Sequence, residues 1–317
     1  MTRRIIIGSR GSELALWQAQ FVKTRLEEQF PDRQFQIKII NTTGDQAMDI
    51  PLSKIGDKGL FTRQIEADLI DGAIDLAVHS LKDLQTEQPE GLTIGAVCSR
   101  GMPNDAFISK TAASIDGLPQ GAKVATGSLR RRSQLLNYRP DLDIVDIRGN
   151  VPTRLAKFDD SNLDGLILAC AGLNRLRLEN RISQVIPFGI MLPAVGQGAI
   201  AVEVRIQDDE VRQLTETLEN HGTRVCITAE RAFLRCLEGG CQVPIGAHAT
   251  LEKDRIRLDG LVGSLDGTVI FREEIDGAAV EAEITGTRLA KRLISQGAGK
   301  LLDQVRAEVQ ASAGSTI

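Results

Sequence analysis

Residues 123–132 read Lys-Val-Ala-Thr-Gly-Ser-Leu-Arg-Arg-Arg. A short run, Lys123–Ala125, enters a Gly-Ser turn and then a helical pattern, the order expected of a strand leading into a helix. The same order recurs on both sides. Arg4–Ile7 leads into Ser9-Arg10-Gly11-Ser12, and Ile74–Val78 into His79-Ser80-Leu81-Lys82-Asp83. Ile144–Ile147 leads into Arg148-Gly149-Asn150, with Arg154 one turn on, and Leu166–Cys170 into Ala171-Gly172-Leu173-Asn174-Arg175. Phe35–Ile40 is a further strand. Leu14, Trp17, Phe21 and Val22 recur at helical spacing, and Leu60–Ile70 reads as a helix with Phe61, Ile65 and Leu69 on one face. Strands alternating with helices imply parallel βαβ units.

Two Gly/Pro-punctuated breaks, Ser99–Asn104 and Leu192–Gly198, bracket a self-contained α/β segment and read as crossings between domains. Ala199–Val204 reads as a strand returning to the first domain. The pattern changes after about residue 220. Thr223–Leu237 is helical, Ala247–Glu252, Arg255–Ser264 and Thr268–Glu274 are strands joined by hairpin turns, and Gly286–Val309 is one helical stretch. The expected domains are 1–98 with 199–217, then 104–192, then 221–312. The tail Ala311–Ile317 is small and polar. Neither Gly297-Ala298-Gly299-Lys300, which lies within helical periodicity, nor Gly196-Gln197-Gly198, which precedes a strand, has the context of a nucleotide-binding loop.

The chain has 317 residues, 38 Lys and Arg against 42 Asp and Glu, and a net charge of −4. That balance argues against a general nucleic-acid binder. One Trp, one Tyr and nine Phe leave little for a base-stacking surface. No apolar run approaches the roughly 18–20 residues of a membrane span, and the N-terminal stretch lacks a secretory pattern. Five scattered Cys fit a reducing, cytoplasmic compartment, and without a Cys-x-x-Cys pair a zinc site is not expected.

The chemistry should lie where the strands end. In open parallel sheets the carboxyl ends line the ligand crevice. Here five such ends each carry Arg or Lys, several with Gly or Ser at a helix start, where free N–H groups and the helix dipole favour anions. Arg adds bidentate recognition of carboxylates. The expected ligand is polyanionic, with several separate carboxylates. Asp83 beside Lys82 is either a helix cap or surface pair, or a lone acid that exchanges a proton or stabilises a cation. Cys98, Cys170, Cys226 and Cys236 read as packing residues. Cys241 follows Gly239-Gly240 and precedes Pro244, so its loop thiol is a candidate nucleophile or attachment point.

Together these segments resemble the porphobilinogen deaminase (hydroxymethylbilane synthase) family over nearly the whole chain. The most specific run is Glu230-Arg231-Ala232-Phe233-Leu234 through Leu237-Glu238-Gly239-Gly240-Cys241-Gln242-Val243-Pro244-Ile245-Gly246. Others are Lys54, Lys58-Gly59-Leu60-Phe61, His79–Asp83, Thr126–Arg131, Arg148-Gly149-Asn150 and Pro193–Gly198. The resemblance implies two α/β domains like the lobes of periplasmic binding proteins, with the active cleft between them, and a smaller C-terminal α+β domain with a three-stranded antiparallel sheet. It implies a transferase of heme and other tetrapyrrole biosynthesis that joins four porphobilinogens head to tail into hydroxymethylbilane, releasing ammonia each time. A dipyrromethane primer would hang by a thioether from Cys241. Asp83 would be the catalytic acid and stabilise the cationic azafulvene. Lys82, Asp83, Thr126, Ser128, Arg130 and Arg131 would hold the cofactor. Arg10, Ser12, Arg148, Arg154 and Arg175 would hold the substrate or growing chain, with Phe61 against the pyrroles, and Lys54 and Lys58 in a mobile loop. The expected partner is porphobilinogen, with no metal, nucleic acid or membrane, and the expected state is a cytoplasmic monomer.

Three positions depart from the family pattern. Gln85 stands where Pro is usual after the Lys-Asp pair. Asn104 replaces a common Arg before Asp105-Ala106, apart from the named motifs. Pro152 falls between Asn150 and Arg154, and Pro is tolerated in a first helical turn. The rival reading is a non-catalytic two-lobed anion-binding protein, which would not need Cys241.

Overall fold

The computed structural model describes residues 3–42, 44, 59–238 and 243–314. It divides into two compact units. Of the described residues, one takes those up to Gly101 together with Gly198–Arg224, and the other takes Met102–Gln197 and those from Val225 on.

The first unit is built on β1 (Ile5–Ser9), β2 (Phe35–Ile39), β3 (Leu76–Ser80), β4 (Leu92–Val97) and β10 (Ile200–Arg205), in the order β2-β1-β3-β10-β4. β1 runs parallel to β2 and β3, whereas β10 is antiparallel to both β3 and β4. The wholly parallel expectation fails at β10 for a topological reason. The chain leaves and returns at one place, Gly101 N–H donating to Gly198 O at 2.9 Å. That place is the carboxyl end of β3, where Ser80 faces Ile200, so a returning strand can only run backwards. On one face Leu76 and Val78 pack with Ala19, Val22 and Leu26 of the helix Glu13–Gln29. Trp17, on the same helix as the spacing indicates, is 37% exposed and stacks on Phe21 at 5.6 Å. On the other face Ile74 and Ala77 pack with Ile65 and Leu69 of the helix Arg63–Ile70.

β3 starts two residues later than the sequence indicates. The Asp75 carboxylate accepts the Ile6 N–H at 2.7 Å, replacing a strand carbonyl at the entry. His79 and Ser80 therefore belong to the strand, not to the loop after it. The helix expected from Leu60 begins at Arg63, after a turn that holds Phe61.

The second unit carries β5 (Asp105–Ile108), β6 (Lys123–Ala125), β7 (Asp143–Val145), β8 (Gly165–Ala169) and β9 (Gln184–Val185), ordered β7-β6-β8-β5-β9. β6 is parallel to β7 and β8, while β5 is antiparallel to β8 and β9. The reason matches that for β10: the incoming chain reaches the sheet at the end of β8, where Cys170 N–H donates to Asn104 O at 3.0 Å.

The same unit holds the expected three-stranded antiparallel sheet, β11 (Ile245–Glu252), β12 (Arg255–Gly263) and β13 (Ile270–Ala278). Its core centres on Phe233, Leu258, Leu289 and Leu293, all fully buried. The single helical stretch expected over Gly286–Val309 is two helices, Ala282–Gln296 and Ala298–Gly314, divided at Gly297. Gly297 has φ +119, a left-handed conformation that ends a helix and favours glycine. Gly286 lets the helix Ala282–Gln296 approach the helix His221–Cys236. A Cβ there would stand 2.1 Å from Ala229 O and 2.9 Å from Phe233 N. Gly286→Ala should therefore lower stability by about 2–3 kcal/mol through overpacking against backbone that has no room to yield. Thermal unfolding of the variant checks this.

Candidate active site

Each unit presents its parallel strand ends on one sheet edge. In the first unit these are the ends of β1 and β3. Arg10 follows β1 and places its guanidinium carbon 4.2 Å from the centre of the Phe61 ring, a cation–π contact. The ring lies against Gly44, where a Cβ would come within 2.2 Å of it. Ser12 caps the helix Glu13–Gln29, its side chain accepting from Ala15 N–H. Such a cap leaves other first-turn N–H groups for solvent or a ligand.

β3 ends in a tight turn, Leu81–Asp83, closed by Leu84 N–H donating to Leu81 O at 3.1 Å. Leu81 is buried and anchors the turn, while Lys82 and Asp83 are half-buried beside it. Ser80 is bonded to Gln18, whose Nε2 lies 2.9 Å from the Ser80 hydroxyl. This unit therefore groups Arg10 with Phe61 and seats Lys82 and Asp83 on the end of a neighbouring strand.

In the second unit the ends of β6, β7 and β8 lie side by side. Thr126 is buried, and its hydroxyl accepts from Ser128 N–H at 3.3 Å. Ser128 caps the helix Leu129–Tyr138, its side chain accepting from Arg131 N–H. Arg148 is half-buried. Burial lowers its pKa and the charge of Asp146 opposes that shift, but a guanidinium stays charged throughout. Asn150 caps the helix Val151–Asp159, accepting from Thr153 N–H at 3.0 Å, and Pro152 sits in the first turn as expected. Arg154 N–H donates to Asn150 O at 3.0 Å, so Arg154 keeps its place in that turn. Asn150→Ala should cost about 1 kcal/mol by removing this cap, measurable as a lower unfolding midpoint. Arg175 is half-buried at the last position of the helix Cys170–Arg175.

Arg130 and Arg131 are buried, each only 5% exposed, around a residue that sequence reasoning passed over. Asp105 is fully buried, with Oδ2 accepting from Arg130 Nη1 at 2.7 Å and Oδ1 from Arg131 Nη2 at 2.7 Å. Gln197 Nε2 donates to Asp105 Oδ1 at 2.9 Å and to Pro103 O at 2.7 Å. Arg130 Nη1 also donates to Leu192 O at 2.6 Å, and Gln134 accepts from Leu192 N–H at 2.7 Å. One network thus ties both crossing segments to the helix start that presents the two Arg. Burial alone would push the Asp105 carboxyl up. The charges of Arg130 and Arg131 and their hydrogen bonds outweigh it and hold the carboxyl well below its ordinary range. The separation of Asn104-Asp105 from the motifs is therefore one of sequence only. The available signal was a lone Asp opening the apolar strand Asp-Ala-Phe-Ile directly after a crossing.

Cys241, Lys54 and Lys58 lie outside the described residues. Cys98, Cys170 and Cys226 are buried free thiols, and Cys236 is half-buried. Burial pushes the Cys170 thiol up to about 12, consistent with an inert packing residue. Among the described residues no cluster of three His, Cys, Asp or Glu side chains could hold a metal. No described helix is long and apolar enough to cross a membrane.

Comparison with known proteins gives this geometry a context. Residues 5–213 match the family model "Porphobilinogen deaminase, dipyromethane cofactor binding domain", and residues 224–295 match "Porphobilinogen deaminase, C-terminal domain". The porphobilinogen deaminase of Pelotomaculum thermopropionicum is 52% identical over 308 residues, covering 97% of this chain and 99% of that protein. That of Chlorobium luteolum is 51% identical over 310 residues, covering 96% and 99%. Among solved structures, the methionine-binding protein MetQ is 14% identical, with a TM-score of 0.44 over 68% of this chain and 89% of that chain. The full-length identity and the two consecutive family matches make this chain a member of the porphobilinogen deaminase family.

Proposed function

We propose that this chain condenses four porphobilinogens head to tail into hydroxymethylbilane, with Asp83 as the acid of the reaction. The observation that carries the reading is the company Asp83 keeps. It stands at the end of β3, beside β1, and the Arg10 that follows β1 lies over the Phe61 ring; the second unit's own parallel strand ends lead into Arg148, Arg154 and Arg175. Each porphobilinogen brings an acetate and a propionate, so a lengthening product accumulates carboxylates that need such cations.

The residues present fit a dipyrromethane group. It is itself a polycarboxylate, and Lys82, Thr126, Ser128, Arg130 and Arg131 would hold it, with its thioether on Cys241. When bound it supplies the pyrrole carbon to which the first porphobilinogen is joined. Asp83 delivers a proton to the departing amine, so the aminomethyl C–N bond breaks and ammonia leaves. Its carboxylate then faces the pyrrole nitrogen that becomes cationic, and an anion held there lowers the energy of that charge. The new C–C bond forms at the methylene carbon, and the proton displaced from the attacked pyrrole carbon returns to the carboxylate. Arg10 and Ser12 orient incoming carboxylates, and Phe61 supplies an apolar surface for the pyrrole ring. Arg148, Arg154 and Arg175 take the carboxylates of the growing chain.

The test is direct. Purified protein supplied with porphobilinogen should form hydroxymethylbilane and release one ammonia per porphobilinogen consumed. Binding without consumption would favour a carrier over an enzyme.

A further inference from the structure

The first unit buries a titratable pair that the mechanism above does not use. His79 Nε2 donates to Glu203 Oε2 at 3.1 Å, and His79 and Glu203 are 5% and 0% exposed. His79 lies on β3 and Glu203 on β10. The register pairs His79 with Ala201 and Ala77 with Glu203, so the bond runs diagonally across one sheet face. The helix Arg63–Ile70 covers that face and adds Glu66, whose carboxyl is pushed up by burial and further by the charge of Glu203. Glu203 Oε1 has no hydrogen-bond partner among the described residues. On the far side of Glu203 the pairing of β10 with β4 shifts register between Val202 and Glu203, an irregularity of the kind that re-aims a side chain.

A buried pair of this kind is no cheaper than two apolar side chains, and an orphaned carboxylate oxygen adds to its cost. What it supplies is direction: the ladder with β10 fixes the backbone register, and the side-chain bond fixes the aim of His79 at the end of the strand. Its place in the chain says what is fixed. His79 and Ser80 are the last two residues of β3, and the turn Leu81–Asp83 follows at once. His79 is held on one face by Glu203, Ser80 on the other by Gln18, and Leu81 N–H donates to Ala199 O at 3.1 Å. These ties converge on the residues that lead into the turn, so a shift at the end of β3 passes directly to Asp83.

We propose that Glu203, acting through His79, is a positioning residue for Asp83. This rests on the reading of Asp83 as the acid. The experiment compares Glu203→Met, which keeps the volume and removes the acceptor, with Glu203→Gln, which keeps an acceptor oxygen. Asp83→Asn is assayed alongside, and turnover is expressed per adduct-bearing molecule. Glu203→Met should lower kcat about tenfold or more, since small misplacements of a reacting group are costly, with KM within about twofold of wild type. Glu203→Gln should recover most of kcat. If Glu203→Met does not fold, the double variant His79→Leu with Glu203→Met is read in its place, with the same loss expected. A wild-type kcat in whichever variant is read, or a loss carried by KM alone, overturns the proposal. If that happens while Asp83→Asn is inactive, only the positioning role fails. If Asp83→Asn is itself active, the reading of Asp83 fails first.

Discussion

Asp83→Asn is expected to lower porphobilinogen turnover by about 10²–10⁴-fold, the usual contribution of a positioned acid or base, while leaving the dipyrromethane adduct on the protein. The amide keeps the size of the carboxyl and the turn at Leu81–Asp83, so the strand end should be undisturbed. It removes the transferable proton and the negative charge opposite the cationic nitrogen. Both losses fall on the transition state, so kcat should fall with little change in substrate affinity. Steady-state kinetics beside an intact-mass measurement separate loss of chemistry from loss of cofactor. Near-normal hydroxymethylbilane production would refute the role.

Asp105→Ala should be the most damaging change to stability. It strips the carboxylate from two guanidiniums that are each only 5% exposed, and leaving buried charges uncompensated typically costs about 3–5 kcal/mol. The unfolding midpoint should fall sharply, and cofactor attachment should fall with it, because Arg130 and Arg131 lose the group that orients them. The pH dependence has a definite sign. The Asp105 carboxyl is held below its ordinary value of 3.8 in the folded protein, so it contributes stability above that pH. The contribution is lost as pH falls below the ordinary value and through the folded one. Acid unfolding of wild type should therefore steepen below about pH 4, and the variant should lack this component.

Much of this architecture is legible in the sequence. The strand–turn–helix order around Ser12, Ser128 and Asn150 is found as read, because each cap is local chemistry between a side chain and an N–H three residues on. The C-terminal sheet is equally local, its hairpins turning at Lys253 and Gly267, both with positive φ. What escaped the sequence depends on distant partners. β5 and β10 run backwards because of where the chain crosses, which no window of residues records. His79 and Ser80 look like loop residues until Glu203 and Gln18 are seen to claim them. Asp105 gains its meaning from Arg130 and Arg131, some 25 residues away in sequence and 2.7 Å away in space. Gly297 interrupts a helical pattern whose apolar spacing continues on both sides, so periodicity alone conceals the break.

The central claim is that this chain carries a covalent dipyrromethane primer on Cys241, and intact mass tests it most directly. Protein produced in cells that make porphobilinogen should be heavier than its sequence by one dipyrromethane. The Cys241→Ser variant, made in the same cells, should have the mass of the bare chain. An unmodified wild-type mass, or an adduct that persists in Cys241→Ser, would contradict the account.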